Sequence, residues 1–167
     1  RNYEEAKDLY RKYHGNMLGL ISDMSFNREG TKDKLAGIRF CRRVRNNDPV
    51  LPIILNSSEI ENKQYADEIA AGFIHKSSKT FPQELRQNLM NSFGFGDFVF
   101  KNPETGEEVL RITNLKDLQD EIFNIPDNSL RYHLSKNHAS KWLYSRAMFP
   151  LAKFIEDIPI EDYEDTQ

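Results

Sequence analysis

The sequence lacks the features that mark secreted, membrane and nucleic-acid-binding proteins. Its 167 residues contain one cysteine, Cys41, which excludes an internal disulfide framework and favours a reducing compartment. No apolar run reaches about eighteen residues and no basic leader precedes an apolar segment, so neither a membrane span nor a signal peptide is predicted. The net charge of −3 gives no bulk attraction to nucleic acid. We expect a soluble cytoplasmic protein.

The composition is that of a folded domain. Hydrophobic residues make up 38% of the chain and charged residues 29%, which is enough for a packed core. The length suits one medium domain, or one small domain with an appendage. Residues 1–6 resemble the start of a helix but lack an initiating methionine, so we expect the sequence to begin inside a larger protein.

The first ninety residues alternate between helical spacing and short apolar runs. Such alternation predicts an α/β fold, with at least three parallel strands and helices on both faces of the sheet. The predicted order is helix 3–14, strand 17–22, helix 35–45, strand 51–55, a helix around Tyr65, strand 72–75, and a helix that begins at Thr80.

Beyond residue 96 the pattern changes to that of a small, mainly helical α+β module. The predicted elements are a β-hairpin of residues 98–100 and 109–112, a helix capped by Asn114, and a helical stretch from Pro126 that breaks near Asn137 and Pro150. The acidic residues 156–167, interrupted by Pro159, predict a tail or linker. The predicted segments are therefore 1–92, 93–155 and 156–167.

Three polar residues follow the three predicted strands. Asp23 comes after the first, Ser57 after the second and Lys76 after the third. The carboxyl ends of parallel strands meet at one edge of a sheet, where ligands bind in open α/β folds. There a carboxylate can attack a phosphoryl group, a hydroxyl can bind the phosphoryl oxygens and an ammonium can offset the added charge. The pattern predicts a phosphoacceptor site.

The strands that carry these residues resemble a known family. Residues 21–24, 51–59 and 71–76 are similar, in order and spacing, to the third, fourth and fifth strands of response-regulator receiver domains. The resemblance covers residues 3–92 and implies a flavodoxin-like, N-terminally incomplete receiver. It also implies a histidine kinase or a small phosphodonor as the source of the phosphoryl group.

The resemblance implies a role for each site residue. Asp23 would be the phosphoacceptor, Ser57 the switch hydroxyl, Lys76 the phosphate-sensing lysine and Phe73 the switch aromatic. It further implies Mg²⁺ as cofactor, held partly by Asp23 and by the backbone carbonyl of Ser25.

Three departures from the family pattern keep an alternative open. The acidic pair of the family's first strand is not in this sequence, the loop from Asp23 to Gly37 is long and contains the charged residues 27–34, and Ser77 replaces the usual proline. The alternative is a pseudo-receiver that takes no phosphoryl group and acts as a docking or dimerisation module. A free sheet edge beside the strand of Asp23 would favour pairing with another chain, including a homodimer. No second catalytic constellation supports an independent enzyme.

The segment from Ser129 to Arg146 allows two interpretations. In the first, its histidines, Asn137 and Trp142 form buried hydrogen bonds between two short helices. In the second, a basic and aromatic face contacts a partner or an anion through Arg131, His133, Lys136, His138, Lys141 and Arg146. Because His133 and His138 are five residues apart, they are not expected to share a helical face as a zinc pair would.

Residues 94–152 also resemble a region of known proteins. Gly94-Phe95-Gly96 and the following histidine-containing stretch are similar to the region after a receiver in large proteins of Bacteroides-type bacteria. Those proteins carry a phosphoenolpyruvate synthase-like phosphotransfer region further on. The resemblance implies that this chain is a regulatory part of such a protein, with an attached or partner output domain that performs catalysis.

Overall fold

The computed structural model describes residues 2–159, which divide into two compact units between Phe93 and Gly94. No helix in this described range is long and apolar enough to cross a membrane. The first unit contains α1 (Tyr3–Tyr13), β1 (Leu20–Asp23), β2 (Phe26–Arg28), β3 (Thr31–Asp33), α2 (Ala36–Asn47), β4 (Ile53–Ser57), α3 (Lys63–Glu68), β5 (Gly72–His75) and α4 (Phe81–Ser92).

The first unit is built on a three-stranded parallel sheet in the order β1-β4-β5. In its register Asp23 lies opposite Asn56, and Ser57 lies opposite His75. The predicted α/β class, with three parallel strands flanked by helices, is confirmed.

Helices cover both faces of this sheet. On one face Leu55 packs with Tyr10 of α1 and Phe40 of α2. On the other face Ile54 and Ile74 pack with Phe93 and the apolar side of α4. Each fully buried aliphatic side chain contributes about 1.5–3 kcal/mol, so these two layers hold the strands in register. Cys41 is fully buried in the first layer, and burial raises the pKa of its thiol to about 11.

The charged segment predicted as a long loop is a β-hairpin instead. Strands β2 and β3 pair antiparallel and are joined by Glu29 and Gly30, whose φ angles of 51° and 78° fit a two-residue type I′ turn. The prediction was wrong because glutamate is an uncommon residue at a positive-φ turn position, so the turn signal was weak.

The second unit combines a hairpin with short helices. Its elements are β6 (Phe98–Lys101), β7 (Glu108–Ile112), α5 (Leu115–Glu121), α6 (Asp127–Ser135), α7 (His138–Tyr144) and α8 (Phe149–Asp157). The side chain of Asn114 caps α5 by accepting from two backbone amides. Pro150 lies in the first turn of α8, where a missing N–H costs no helical hydrogen bond. Helix α8 includes residues 156–157 of the predicted tail, and residues 160–167 lie outside the described range.

The glycines that open the second unit are required by close packing. Gly94 and Gly96 have φ angles of 73° and 89°, and a Cβ on Gly94 would lie 2.7 Å from the backbone of Trp142. The carbonyl of Gly94 accepts a hydrogen bond from the hydroxyl of Ser145. The carbonyl of Gly96 accepts one from the indole N–H of Trp142. Arg146 also donates to Gly96 while it stacks 3.7 Å from the Trp142 ring.

Arg45 supports the first unit by binding backbone carbonyls. Its guanidinium donates to the carbonyls of Ile69, Pro49 and Leu51 at 2.7–3.0 Å, and burial lowers its pKa. We expect Arg45→Met to lower the free energy of unfolding of this unit by about 1–3 kcal/mol, because the three backbone carbonyls lose the guanidinium that donates hydrogen bonds to them. Urea unfolding followed by far-ultraviolet circular dichroism measures this change.

The matched control is Arg43→Met, on an exposed position of the same helix. Equal destabilisation by both substitutions would show that the carbonyl contacts of Arg45 do not support the fold.

Candidate functional site

The structure brings the three predicted site residues to the carboxyl edge of the sheet. Asp23 ends β1, Ser57 ends β4 and Lys76 follows β5 directly. The backbone amide of Lys76 donates to the carbonyl of Ser57 at 2.8 Å, which ties the ends of two strands together. Parallel register therefore positions a carboxylate, a hydroxyl and an ammonium along one edge.

Asp23 and Lys76 form an ion pair at this edge. The Nζ atom of Lys76 lies 2.6 Å from Oδ1 of Asp23, a short charge-assisted contact. The side chain of Asp23 is 46% exposed and that of Lys76 is 40% exposed, so a small molecule can reach them from solvent. An ion pair this exposed contributes about 0–1 kcal/mol to folding, so the fold does not depend on it.

Ser57 lies at the edge but is held by the turn that precedes α3. Its side chain is buried, and its Oγ accepts from Nδ2 of Asn62 at 2.8 Å and from the amide of Glu59 at 3.1 Å. It makes no hydrogen bond to Asp23. Because both contacts use the lone pairs of the oxygen, its O–H can still donate to an incoming acceptor.

Phe73 lies on the same sheet face as Ser57. It pairs in register with Leu55, two residues before Ser57, and side chains two residues apart share a face. Its ring is partly buried against the core formed with α1 and α2. The structure thus places the predicted switch aromatic and the predicted switch hydroxyl on one face.

Asn56 is a site neighbour that the sequence reasoning missed. It is the register partner of Asp23 on the adjacent strand, so both side chains lie on the same face. Its Oδ1 is buried and has no hydrogen-bond partner within the described structure. Strand alternation places Asn56 and Ser57 on opposite faces of β4, but only the register of β4 with β1 shows that Asn56 lies beside Asp23. An amide beside the carboxylate can orient a ligand bound there.

The described residues do not form a magnesium site by themselves. Between residues 2 and 159 there is no group of three histidine, cysteine, aspartate or glutamate side chains able to hold a metal. Asp23 supplies one carboxylate, already paired with Lys76, and Ser25 could add a backbone carbonyl. Mg²⁺ needs near-octahedral oxygen coordination, so this donor set is insufficient without further ligands.

The histidines of the second unit lie on two different helices and are in contact. Nδ1 of His133 lies 3.0 Å from Nδ1 of His138. As expected from their spacing they share no helical face; they meet because the helix is interrupted at Asn137, whose φ of 55° turns α7 back towards α6. This break brings together side chains that a continuous helix would separate.

The hydrogen bonds assign a protonation state to this pair. The amide of Lys101 donates to Nε2 of His133 at 3.0 Å, so the proton of neutral His133 is on Nδ1 and is donated to His138. Burial lowers the pKa of His133, and burial next to His133 lowers the pKa of His138 to about 4. The pair is a neutral hydrogen-bonded link between β6, α6 and α7.

The predicted basic face is partly turned inward. His133 is buried between Phe98 and Phe100, and Arg146 is engaged with Trp142 and the nearby glycine carbonyls. Lys136 is exposed, whereas Arg131 and Lys141 are partly buried and have interactions of their own. The buried-hydrogen-bond interpretation therefore describes His133, His138 and Trp142.

Comparison with protein-family models, with curated proteins and with solved structures finds no match for this chain.

The histidine pair predicts that the second unit loses stability in acid. Both folded pKa values lie below the unfolded value near 6.5, so the unfolded chain binds more protons as the pH falls. Stability is complete above about pH 6.5 and declines towards about pH 4. Urea unfolding at about pH 7.5 and about pH 5 measures the loss, and Trp142, the sole tryptophan, reports on this unit.

We expect His138→Gln to reduce the pH dependence of the second unit's free energy of unfolding by the contribution of about one proton. The control is His14→Gln, at an exposed position of the first unit, which should leave this pH dependence unchanged. A wild-type protein that is equally stable at both pH values would contradict the assignment.

Proposed function

We propose that the first unit is a receiver-like signalling domain in which Asp23 accepts a phosphoryl group. The observation that carries this proposal is the ion pair between Asp23 and Lys76 at the carboxyl edge of a parallel sheet, with Ser57 ending the strand between them. A half-exposed carboxylate held by an ammonium is suited to nucleophilic attack followed by charge compensation.

The reaction balances without a proton transfer. A carboxylate oxygen of Asp23 forms a bond to the phosphorus of a small donor such as acetyl phosphate. The bond from phosphorus to the acetate oxygen breaks, and acetate leaves with the electron pair. Lys76 offsets the negative charge that the phosphoryl group adds at the site. The donor is a histidine kinase or a small acyl phosphate.

The signal leaves the site through Ser57 and Phe73. Ser57 lies on the sheet face opposite Asp23, at the shared edge. Its hydroxyl turns over the end of β4 to donate to a phosphoryl oxygen, which loosens its contacts with Asn62 and Glu59 at the start of α3. Phe73 shares the sheet face of Ser57 and changes its packing when the hydroxyl moves. The altered surface near α3 and β5 then contacts an output partner or an attached phosphoenolpyruvate synthase-like region.

Mg²⁺ has a place in this proposal only where further acidic ligands join Asp23. Its role would be to neutralise phosphoryl oxygens, as the family resemblance implies. The residues of this chain contribute the carboxylate of Asp23 and the carbonyl of Ser25.

A second candidate function is a phosphorylation-independent docking or dimerisation module. The observation that favours it is that the described residues form no group of three or more histidine, cysteine, aspartate or glutamate side chains able to hold a metal. The two functions differ in whether Asp23 is modified.

Intact-mass spectrometry after incubation with acetyl phosphate tests the proposed function. We expect one acid-labile phosphoryl group per chain, no labelling of Asp23→Asn and labelling reduced about tenfold or more in Lys76→Gln, where charge compensation is lost. The incubation is run with Mg²⁺ and with a chelator, which measures how far the reaction depends on the metal.

The matched control is Asp8→Asn, because Asp8 is a more exposed carboxylate, on α1. It should label like the wild type. A folded wild-type protein that takes no label in either buffer, or an Asp23→Asn protein that labels fully, would reject the phosphoacceptor role and leave the docking function.

A further inference from the structure

A cleft of about 300 Å³ lies between α1 and α2 of the first unit, and its lining is mostly basic. The lining consists of Lys7, Tyr10 and Arg11 of α1 and its C-cap His14, with Arg43 and Asn47 of α2 and its C-cap Asp48. The chain as a whole carries a net charge of −3, so this concentration of basic side chains departs from the rest of the molecule. A cleft lined by charges of one sign draws in ions of the opposite sign.

The exposed arginines of α2 differ in whether an acid faces them. Arg39 lies 3.6 Å from the carboxylate of Asp33, and Arg42 forms an ion pair with Glu68. Arg43, the arginine that lines the cleft, makes no ion pair and no hydrogen bond through its side chain within the described residues. Its guanidinium is therefore available to a ligand.

Lys7 is the corresponding cation on α1. The other basic residues of this helix have neighbours that offset their charge: Arg11 lies 3.6 Å from the carboxylate of Asp8, and Nζ of Lys12 lies 4.9 Å from the centre of the Tyr13 ring. Lys7 is partly buried, yet its ammonium has no acceptor or counter-ion in the described part of the chain. A partly buried charge without a counter-ion costs free energy, which an anion in the cleft would recover.

The C-terminal ends of the helices do not account for Lys7 and Arg43. Basic side chains in the last turn of a helix are stabilised by the free backbone carbonyls there, and this effect falls off beyond that turn. Arg11 of α1 and Arg45 of α2 occupy such positions. Lys7 and Arg43 lie before the last turns of their helices, so a different reason is needed for two unpaired cations that line one cleft.

The rest of the lining supplies hydrogen-bonding groups and an acid with another role. Tyr10 is only 9% exposed and lies beside the side chain of Asn47, and burial raises the pKa of its hydroxyl, which therefore keeps its proton. The carboxylate of Asp48 accepts from the amide of Leu51 at 3.0 Å, which fixes the turn after α2. The cleft thus combines unpaired cations with neutral polar groups.

The cleft lies at the end of the sheet opposite to Asp23. Helix α1 precedes β1 and α2 precedes β4, so the C-terminal ends of both helices lie near the amino ends of these strands. Asp23 and Ser57 end the same two strands at the carboxyl edge. A ligand in the cleft and a phosphoryl group on Asp23 would therefore occupy separate places.

We propose that the cleft between α1 and α2 binds a small phosphate monoester, with the phosphate held between Lys7 and Arg43. Two unpaired cations match the charge of about −2 that a phosphate monoester carries at neutral pH. The planar guanidinium of Arg43 can bind two phosphate oxygens, and the ammonium of Lys7 supplies the second charge. Tyr10 and Asn47 are the polar groups that the organic part of the ligand meets.

The size of the cleft limits the ligand to a small molecule. Its volume of about 300 Å³ is at the lower end of the range of small-molecule sites, which is roughly 300–1,000 Å³. A phosphate with a short polar chain fits this volume. Binding does not depend on phosphorylation of Asp23, so a protein that fails to label with acetyl phosphate can still bind a phosphate monoester here, and the reverse also holds.

Titration of the 167-residue chain with glycerol 3-phosphate, followed by calorimetry and by amide chemical shifts in NMR spectra, tests the proposal. We expect one site per chain, with the largest shifts in the parts of α1 and α2 that line the cleft. Inorganic phosphate should bind more weakly, and glycerol should not bind. Lys7→Gln and Arg43→Gln should each weaken binding about tenfold or more, because each removes a charge-assisted hydrogen bond to the phosphate.

The matched controls are Lys12→Gln and Arg42→Gln, because these exposed residues lie on the same two helices but outside the cleft. They remove the same charge and should leave the affinity unchanged. Lys76→Gln, which removes the ammonium beside Asp23, should leave it unchanged as well.

Three results would overturn the proposal. They are no binding of glycerol 3-phosphate, binding of inorganic phosphate that is equally tight, and a loss of affinity in the control variants as large as that in Lys7→Gln and Arg43→Gln. Loss of binding in Lys76→Gln alone would place the anion at the carboxyl edge of the sheet instead. Circular dichroism checks that each variant is folded, and because Lys7 and Arg43 lie on different helices, either substitution is sufficient for the test.

Discussion

The parallel register of β1, β4 and β5 is the constraint on which the candidate site depends. Buried Ile54 and Leu55, on opposite faces of the central strand, fix this register from both sides. A shift of one residue would turn the side chain of Asp23 to the other face of the sheet, away from Lys76. The site is therefore a consequence of core packing, although its own side chains contribute little to that packing.

The two polar pairs of the molecule occupy contrasting environments. Asp23 and Lys76 are close together but half exposed, so their charges are available to a ligand and add little to stability. His133 and His138 are also within hydrogen-bond distance but more deeply buried, so they are held neutral and link elements of the second unit. Exposure is what makes the first pair a candidate for chemistry and the second a structural contact.

The sequence was sufficient for much of the fold and for the ends of the strands. Apolar runs before Asp23, Ser57 and Lys76 predicted three parallel strands, because a buried strand needs continuous apolar residues. Buried hydrogen bonds of the histidines between two short helices were one of the two interpretations open from the sequence, but the specific contact of His133 with His138 could not be predicted, since it depends on the left-handed conformation of Asn137. Asn56 was missed for a similar reason: its position beside Asp23 follows from register between strands, which spacing along one strand does not determine.

The central claim is that the carboxylate of Asp23 becomes an acyl phosphate. Borohydride reduction after incubation with acetyl phosphate tests it most directly, because hydride converts an aspartyl phosphate to homoserine with release of phosphate. Peptide sequencing by mass spectrometry then locates the modified residue. The account predicts homoserine at position 23 and at no other aspartate. Homoserine at another position, or none in a folded protein, would contradict it.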